Sequence, residues 1–263
     1  MNNIHPTAIV EDGATIAVDA IVGAYCFVSS QATIGSGTVI MQGAIIDGKT
    51  TIGNNCKIFY HAVVGSVPQD LKFKGEDVEL IIGDDTTIRE FCQINPGTEG
   101  GGGITKIGDN CFIMAHVHLA HDVIVANNVI IVNNAAIAGH VEIGNNAFIG
   151  GMSAVHQFCK IGEYSMIGGG SALSQDLPPY CICEGNRAYM RGLNLVGLRR
   201  NLNDKNEIDN IKSAYKKIFL SQEPMQDAAK ELVESSSSEY VKRLATFVIE
   251  TKRGIPLKRK VNE

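Results

Sequence analysis

The feature that most constrains the fold is an aliphatic residue at every sixth position. The series starts at Ile4 and steps by six to Val64 without a miss. It resumes from Ile82 to Ile94 and again from Ile107 to Leu173. A helix repeats its apolar residues every 3.6 positions and a half-buried strand every 2, so neither element explains this spacing.

A period of six is typical of a solenoid in which each hexapeptide supplies one short strand and one turn. Three hexapeptides would close a triangular coil, and the aliphatic residues would stack into one interior column. Successive coils would lie about 4.8 Å apart. We therefore predict a mainly β fold, a parallel β-helix, over residues 1–186.

The slot four positions after each aliphatic residue holds a small or β-branched side chain. Five of the seven cysteines occupy this slot: Cys26, Cys56, Cys92, Cys111 and Cys159. Their placement predicts buried filler rather than reactive thiols. An odd number of cysteines without C-x2-C pairs also argues against a disulfide framework or a zinc cluster, and no resident metal is expected.

Two segments interrupt the repeat, near 66–81 and near 96–106. Long excursions from a rigid scaffold commonly carry binding residues. The second one contains the run Gly100 to Gly103, which lacks the G-K-[ST] ending of a phosphate loop and is predicted to be a flexible loop tip.

After Leu173 the repeat fades, and helical spacing predicts helices over 203–221, 225–234 and about 238–252. Asp204 and Glu207 resemble a capping box. The apolar faces of these helices are expected to pack on one another or over the open end of the solenoid. Residues 187–263 are therefore predicted to form a C-terminal α-helical domain.

Charge is distributed unevenly between the two parts. Residues 1–186 contain 7 Lys/Arg and 18 Asp/Glu, whereas residues 187–263 contain 16 and 10. The local charges are thus about −11 and +6, and the basic part would attract an acidic partner. No basic leader or long apolar run is present, so we expect a cytoplasmic protein without stable membrane insertion, and no nucleic-acid partner.

Histidines cluster where chemistry is expected. The run AHVHLAHD contains His116, His118, His121 and Asp122, and His140 and His156 follow within a few coils. We expect all five histidines to form a band near one edge or face. Imidazole is suited to act as a general base near neutral pH, and Asp122 could tune it. A nucleophilic mechanism is disfavoured because the cysteines are buried and no G-x-S-x-G motif occurs.

The chain resembles the UDP-N-acetylglucosamine acyltransferases of lipid A biosynthesis, members of the hexapeptide-repeat acyltransferases. The resemblance rests on HPTAIVEDGA, QDLKFKGE, GT-x2-GGG-x-TK, H-x-AHD, AGHV, GGMSAVHQFC, PPY and GLNLVGLRR. It implies a left-handed coil, a homotrimer with active sites between subunits, and transfer of an acyl chain from acyl carrier protein to the 3-position of the UDP-sugar. No cofactor beyond the acyl carrier protein co-substrate is implied.

The resemblance also implies residue roles. His121 would be the general base, Asp122 would orient it, and the backbone N–H of Gly139 would stabilise the oxyanion. Gly169 matches the position that limits acyl-chain length, where glycine leaves the pocket long. Substrate-binding roles fall to Gln69, Asp70, Lys72, His118, His140, His156, Gln157, Asn194 and Arg200.

Three departures from the family pattern concern the acceptor. Val196 stands in place of a common glutamate, Asn95-Pro96 in place of His-Arg, and His116 in place of asparagine. They leave open a preference for the analogue with an amine at the sugar's 3-position.

Three other classes remain as alternatives. A zinc carbonic anhydrase of γ class would use His116 and His121 as ligands. A related N-acyltransferase usually has an extra N-terminal domain, whereas this repeat starts at Ile4. A purely structural solenoid would not need the histidines.

Overall fold

The computed structural model describes residues 3–258, and the repeat forms three parallel sheets around one core. Sheet I contains Ile9–Val10, Phe27–Val28, Ile45–Ile46, Val63–Val64, Gln93–Ile94, His118–Leu119, Ala136–Ile137, Ala154–Val155 and Ala172–Leu173. Sheet II contains Thr15–Ile16, Thr33–Ile34, Lys49–Ile52, Glu79–Ile82, Ile104–Ile107, Ile124–Val125, Glu142–Ile143 and Lys160–Ile161. Sheet III contains Ile21–Val22, Val39–Ile40, Lys57–Ile58, Thr87–Ile88, Phe112–Ile113, Ile130–Ile131, Phe148–Ile149, Met166–Ile167, Cys181–Glu184 and Tyr189–Leu193.

The chain passes from sheet I to II to III and back to I, and each strand of the repeat pairs in parallel with its equivalent in the next coil. The last strand, Tyr189–Leu193, instead pairs antiparallel with Cys181–Glu184. The architecture is the expected left-handed parallel β-helix. The second residue of each short strand points inward, as with Ile58 and Ile113, which are fully buried. The cysteine slot is also interior: the thiol of Cys56 donates to the carbonyl of Gly83 in the next coil at 3.0 Å. The prediction of buried filler is confirmed.

Corners between sheets place one residue in the left-handed backbone region. Asn128 and Asn146 have φ of 59° and 58°, and Asp122 and His140 have 59° and 61°. Asparagine and aspartate tolerate this conformation better than other side chains, which explains why they cluster between the strands. The corner fixes the direction in which its side chain leaves the coil.

Both excursions leave the solenoid where the chain passes from sheet I to sheet II, which we call the I/II edge. One runs from Val64 to Glu79 and the other from Ile94 to Ile104, so the strands resume slightly earlier than predicted. The second contains a short 3-10 helix, Glu99–Gly101. Two long segments therefore project from the same edge of the prism.

Four helices follow: α1 (Leu195–Asn201), α2 (Lys205–Leu220), α3 (Met225–Ser235) and α4 (Glu239–Glu250). The last three match the predicted helices, whereas α1 and the preceding hairpin of Cys181–Glu184 and Tyr189–Leu193 were not predicted. Asp204 caps α2 as expected, accepting from the N–H of Asn206. Glu207 does not complete a capping box, because its carboxylate binds the hydroxyl of Ser238 at the start of α4.

The helices pack on one another and continue the core of the solenoid. Ile208, Ile211 and Ile218 of α2 and Leu244 and Val248 of α4 are buried there. No helix within residues 3–258 is long and apolar enough to cross a membrane. The outer ends of the two predicted domains, residues 1–2 and 259–263, lie outside the described residues.

Asp176 ties the segment after α4 to the last coil. Its buried carboxylate accepts hydrogen bonds from the N–H of Lys160, the hydroxyl of Thr251 and the N–H groups of Lys252 and Arg253. This contact brings two basic side chains to the I/II edge.

Candidate active site

The coil length brings the candidate catalytic residues together. Eighteen residues per coil place Gly139 in the next coil directly beside His121, and His140 beside Asp122. The N–H of His140 donates to the carbonyl of His121 at 3.1 Å, which locks the two corners in register. All four residues lie at the I/II edge, between the strands that end at Leu119 and Ile137 and those that follow.

His121 and Asp122 form a hydrogen-bonded pair. Nδ1 of His121 lies 2.8 Å from Oδ2 of Asp122, with the imidazole 16% exposed and the carboxyl group 2% exposed. A carboxylate can only accept, so Nδ1 carries the proton and the neutral ring keeps Nε2 as a free base. The pair thus has the geometry of a general base held by a buried carboxylate.

The second excursion holds the Asp122 carboxylate in place. The N–H of Thr98 donates to Oδ1 at 2.9 Å, and its hydroxyl donates to Oδ2 at 2.6 Å. The backbone N–H of Asp122 in turn donates to the hydroxyl of Thr105 at 2.8 Å. A Cβ at Gly101 would stand 2.0 Å from Cγ of Asp122, so only glycine allows this approach.

Thr98 therefore fixes the start of the second excursion to the His121–Asp122 pair, whereas the flexible loop tip predicted for Gly100 to Gly103 stays a prediction. Sequence reasoning singled out the GT-x2-GGG-x-TK segment but gave no role to Thr98, Gly101 or Thr105. The signal available was that segment's place in the family resemblance.

Gly139 lies beside the Cε1 and Nε2 atoms of the His121 imidazole. A Cβ at this position would stand 2.7 Å from Cε1 and 2.9 Å from Nε2 of the imidazole. No described residue accepts a hydrogen bond from the Gly139 N–H. A free backbone donor and a free imidazole nitrogen therefore adjoin, as an addition to a carbonyl group requires.

His140 and Phe158 continue the same corner in the next coils. The His140 ring stacks on Phe158 with centroids 4.4 Å apart and meets His121 edge to face at 5.0 Å. Burial lowers the pKa of His140, an effect that the nearby Asp122 carboxylate partly opposes. The ring is therefore held chiefly in its neutral form.

Several predicted binding residues flank this corner. His118 faces outward from sheet I, and burial lowers its pKa. His156 and Gln157 are exposed at the same edge, in the turn next to that of Gly139. Asp70 and Lys72 line a cavity of about 270 Å³ with Thr98.

Gln69 joins the first excursion to sheet I. Its amide donates to the side-chain oxygen of Gln93 at 3.0 Å. Asn95, one of the departures from the family pattern, is fully buried and donates to the carbonyls of Ser66 and Val67. It therefore fixes the start of the first excursion.

Asn194 and Arg200 do not lie at the I/II edge of this chain. They line a cavity of about 500 Å³ on the outer face of sheet III, together with Val196, Ile130 and Phe148. Asn194 caps α1 and donates to the carbonyl of Tyr164, so both ends of its side-chain amide are engaged. Arg200 is exposed and faces solvent.

The expectation of a single band of five histidines was wrong for His116. It occupies the corner between sheets III and I, which we call the III/I edge, and stacks on Phe91. Six residues separate it from Asp122, and six residues carry the chain to the next edge of the triangle. His116 and His121 therefore lie at different edges and do not form the zinc pair of a carbonic anhydrase. Among the described residues, it is His121, Asp122 and His140 whose possible ligand atoms lie within 4.8 Å of one another. Gly169 also lies at the III/I edge, where it is exposed.

Comparisons with known proteins identify the family of the chain. The model for UDP-N-acetylglucosamine O-acyltransferase, domain 2, matches residues 176–256, and the bacterial transferase hexapeptide model matches 104–139 and 140–175. Proteins named acyl-[acyl-carrier-protein]--UDP-N-acetylglucosamine O-acyltransferase from Sulfurimonas denitrificans and Aliarcobacter butzleri are 59% and 54% identical, with 99% of this chain and 99% and 100% of theirs covered. The structure of UDP-N-acetylglucosamine acyltransferase from Campylobacter jejuni superposes with a TM-score of 0.93 at 49% identity, covering 97% of this chain and 100% of that one. The chain belongs to the UDP-N-acetylglucosamine O-acyltransferase family.

Proposed function

We propose that this protein transfers a (3-hydroxy)acyl chain from acyl carrier protein to the 3-position of UDP-N-acetylglucosamine, the first step of lipid A biosynthesis. The observation that carries the proposal is the His121–Asp122 pair beside the free N–H of Gly139. The names of the similar proteins give the substrates. The reaction uses no cofactor apart from the acyl carrier protein co-substrate.

In the proposed mechanism, Nε2 of His121 takes the proton of the acceptor's 3-hydroxyl while that oxygen attacks the thioester carbonyl. The carbonyl oxygen becomes an oxyanion that the Gly139 N–H stabilises. The C–S bond then breaks, and the imidazolium returns the proton to the departing thiolate. Asp122 stabilises the imidazolium while it exists and fixes the ring through Nδ1.

The acceptor is assigned to the residues around this pair. His118, His140 and His156 would contact the sugar together with Gln69, Asp70 and Lys72 of the first excursion. His140 and Asp70 are close enough for the Asp70 charge to influence the His140 pKa. Burial lowers the pKa of His118 and of His140, so these two rings in their neutral form can donate and accept hydrogen bonds to the sugar hydroxyls.

The acyl chain is assigned to the outer face of sheet I. Beyond His118, the outward positions of the next three strands are the small residues Ala136, Ala154 and Ala172. They leave a shallow apolar track that runs along the prism, and the last of its coils contains Gly169. A larger side chain at Gly169 would shorten the space for the chain.

We propose that the protein is a homotrimer. Large apolar side chains are exposed at the III/I edge, with Tyr25 69%, Phe91 53% and Met152 72% accessible. The outer face of sheet III adds Ile130 and Phe148, whereas sheet II presents polar residues such as Glu142. Three prisms packed around the III/I edge would cover these apolar groups.

This packing would also complete the active site. Arg200 and Gln157 are assigned to the nucleotide, yet they lie on different faces of one chain. In a trimer, sheet III of one subunit faces sheet I of the next, which brings Arg200 toward the partner's I/II edge. Arg200 would then bind the diphosphate by charge-assisted hydrogen bonds, and Asn194 would position it by capping α1.

Acyl carrier protein is assigned to the basic C-terminal unit, residues 187–263, in a cytoplasmic reaction. Lys160, Lys252 and Arg253 line a cavity of about 620 Å³ that opens beside His140 and Asp122. Positive charges at this opening would attract a partner with an acidic surface, and its thioester would then lie near His121.

The 3-amino sugar nucleotide is the alternative acceptor. Of the three departures from the family pattern, Val196 lies in the same cavity as Arg200, and its side chain is 58% exposed. Asn95 is buried and His116 lies at another edge, so these two do not bear on the acceptor within one chain.

An acyl-transfer assay with both acceptors tests the function. The wild type should acylate UDP-N-acetylglucosamine, and His121→Ala should lose at least about two orders of magnitude in rate. His5→Ala, which removes an exposed imidazole in the first coil, is the matched control. Absence of transfer to either acceptor, or a His121→Ala variant of near-normal rate, would overturn the proposal, and a preference for the amine would select the alternative.

A further inference from the structure

Three possible metal ligands converge at the I/II edge. One ligand atom each from His121, Asp122 and His140 lie within 4.8 Å of one another. Nδ1 of His121 is 2.8 Å and Nδ1 of His140 is 3.8 Å from the same oxygen, Oδ2 of Asp122. We propose that these three residues form a binding site for a divalent transition-metal ion, Zn²⁺ in particular, and that the ion switches off the catalytic base.

The geometry is close to that of a tetrahedral site. Zinc binds imidazole nitrogen and carboxylate oxygen at about 2.0–2.1 Å, so neighbouring ligands in a tetrahedron lie about 3.3 Å apart. Two of the three ligand-atom separations, 2.8 and 3.8 Å, bracket this value, and the third is at most 4.8 Å. The two imidazoles would have to turn their nitrogens toward the ion to close the site. Two imidazoles and one carboxylate also match the ligands that zinc prefers.

The surroundings support an ion as well. The N–H and hydroxyl of Thr98 hold the Asp122 carboxylate, and such hydrogen bonds orient a ligating carboxylate. No described residue forms a hydrogen bond with either ring nitrogen of His140, so its Nδ1 is available. The cavity of about 620 Å³ beside Asp122 and His140 gives access and room for a further ligand. Both basic residues (Lys160, Lys252 and Arg253) and acidic ones (Glu142 and Asp176) line it.

Other zinc ligands in the described chain are less suitable. All seven cysteines are buried, and burial raises the pKa of Cys92 and Cys159 to about 11, which disfavours the thiolate that binds metal. His116 and His61 stack on Phe91 at the III/I edge, and the Glu90 carboxylate near His116 is already paired with Arg89.

Metal binding would block the reaction by changing a tautomer. In the free enzyme the proton on Nδ1 of His121 points to Asp122 and Nε2 is the base. An ion that takes the place of this proton leaves the neutral ring protonated at Nε2, because one of the two nitrogens must carry hydrogen. His121 then cannot accept the proton of the acceptor. The inhibition rests on the proposed function, whereas the binding site does not.

The experiment uses the full chain with Zn²⁺ or Co²⁺ alone as the probe. Competition with a chromophoric chelator gives the zinc affinity, and the visible spectrum of the Co²⁺ form reports the coordination geometry. Removal of a supporting hydrogen bond commonly weakens a metal site about 10- to 100-fold, so His121→Ala and His140→Ala, which each remove a ligand, should weaken binding at least about 100-fold. His116→Ala should bind as the wild type does.

The expected result is a four-coordinate cobalt spectrum that is lost in His140→Ala, together with zinc inhibition that a chelator reverses. Equal zinc affinity in wild type and His140→Ala, or a six-coordinate cobalt spectrum, would overturn the site. Zinc binding at these residues in a protein that transfers no acyl group would leave the site standing and remove only the proposed function.

Discussion

Thr98 donates both its backbone N–H and its hydroxyl to the carboxylate of Asp122, at 2.9 and 2.6 Å. Through this contact the second excursion controls the orientation of the catalytic pair. The other hydrogen bond to the Asp122 carboxylate among the described residues comes from Nδ1 of His121. We therefore expect Thr98 to act as a positioning residue for His121, the proposed general base.

Thr98→Val should lower kcat about tenfold, because a hydrogen bond to a charged group contributes about 1.5–3 kcal/mol and part of this is recovered by relaxation. The KM for the acceptor should change little, as the sugar contacts remain. Steady-state kinetics measure both constants. Thr98→Ser keeps the hydroxyl and should restore most of the rate, and equal losses in the two variants would contradict the assignment.

Gly139→Ala should reduce kcat/KM about 100-fold. The added Cβ would stand 2.7 Å from Cε1 of His121, so the imidazole must swing away from its place, and a misplacement of about 1 Å can cost this factor. The backbone N–H is retained, which separates this effect from loss of the oxyanion donor.

The control for this substitution is Gly100→Ala, where a Cβ meets no atom within 4 Å. It adds the same methyl group without moving His121, and thermal unfolding of both variants shows whether the fold is intact. A Gly139→Ala variant of normal activity would mean that the ring has room that the structure does not provide.

The six-residue period predicted which residues of the site lie next to each other, which the sequence motifs alone could not. It placed Cys56 and Cys92 inside, and eighteen residues per coil put Gly139 beside His121. The expectation of one band was wrong for His116 because residues close in sequence need not share an edge: each hexapeptide moves the chain to the next edge of the triangle.

The contacts that the period did not give are made by residues outside the repeat. Thr98 lies in an excursion, and no periodic pattern says where such a segment returns. The sequence did not predict the hairpin of Cys181–Glu184 and Tyr189–Leu193 or the short helix α1. These elements are too short for their apolar residues to show a period. Arg200 lies on another face, and only an assembly of chains would bring it to His121.

Gly169→Met should shift the preferred donor toward shorter acyl chains. A Cβ at Gly169 would meet only the Gly151 carbonyl oxygen at 3.4 Å and its nitrogen at 4.0 Å, so the fold accepts a side chain there. The longer side chain would fill the end of the proposed acyl track. Competition between acyl carrier proteins that carry chains of several lengths measures the shift.

The reaction of the Gly169→Met variant with a short-chain donor is the control. Its rate should be close to that of the wild type. An equal loss with short and long donors would point to damage elsewhere. An unchanged length preference would place the end of the acyl chain away from this glycine.

His118 should make the native state less stable in acid. Burial lowers its pKa in the folded protein, so the unfolded chain takes up a proton near its ordinary pKa of about 6.5 while the native imidazole stays neutral. Stability is thus unaffected by this group above about pH 6.5 and falls progressively as the pH drops from there to the folded-state pKa. His118→Gln removes the proton uptake and should flatten this part of the curve. Urea unfolding of both proteins at a series of pH values measures the difference, with His116→Gln, which removes an exposed imidazole, as the control. A wild type and a His118→Gln variant whose free energies of unfolding fall in parallel below pH 6.5 would show that burial does not disfavour the charged ring.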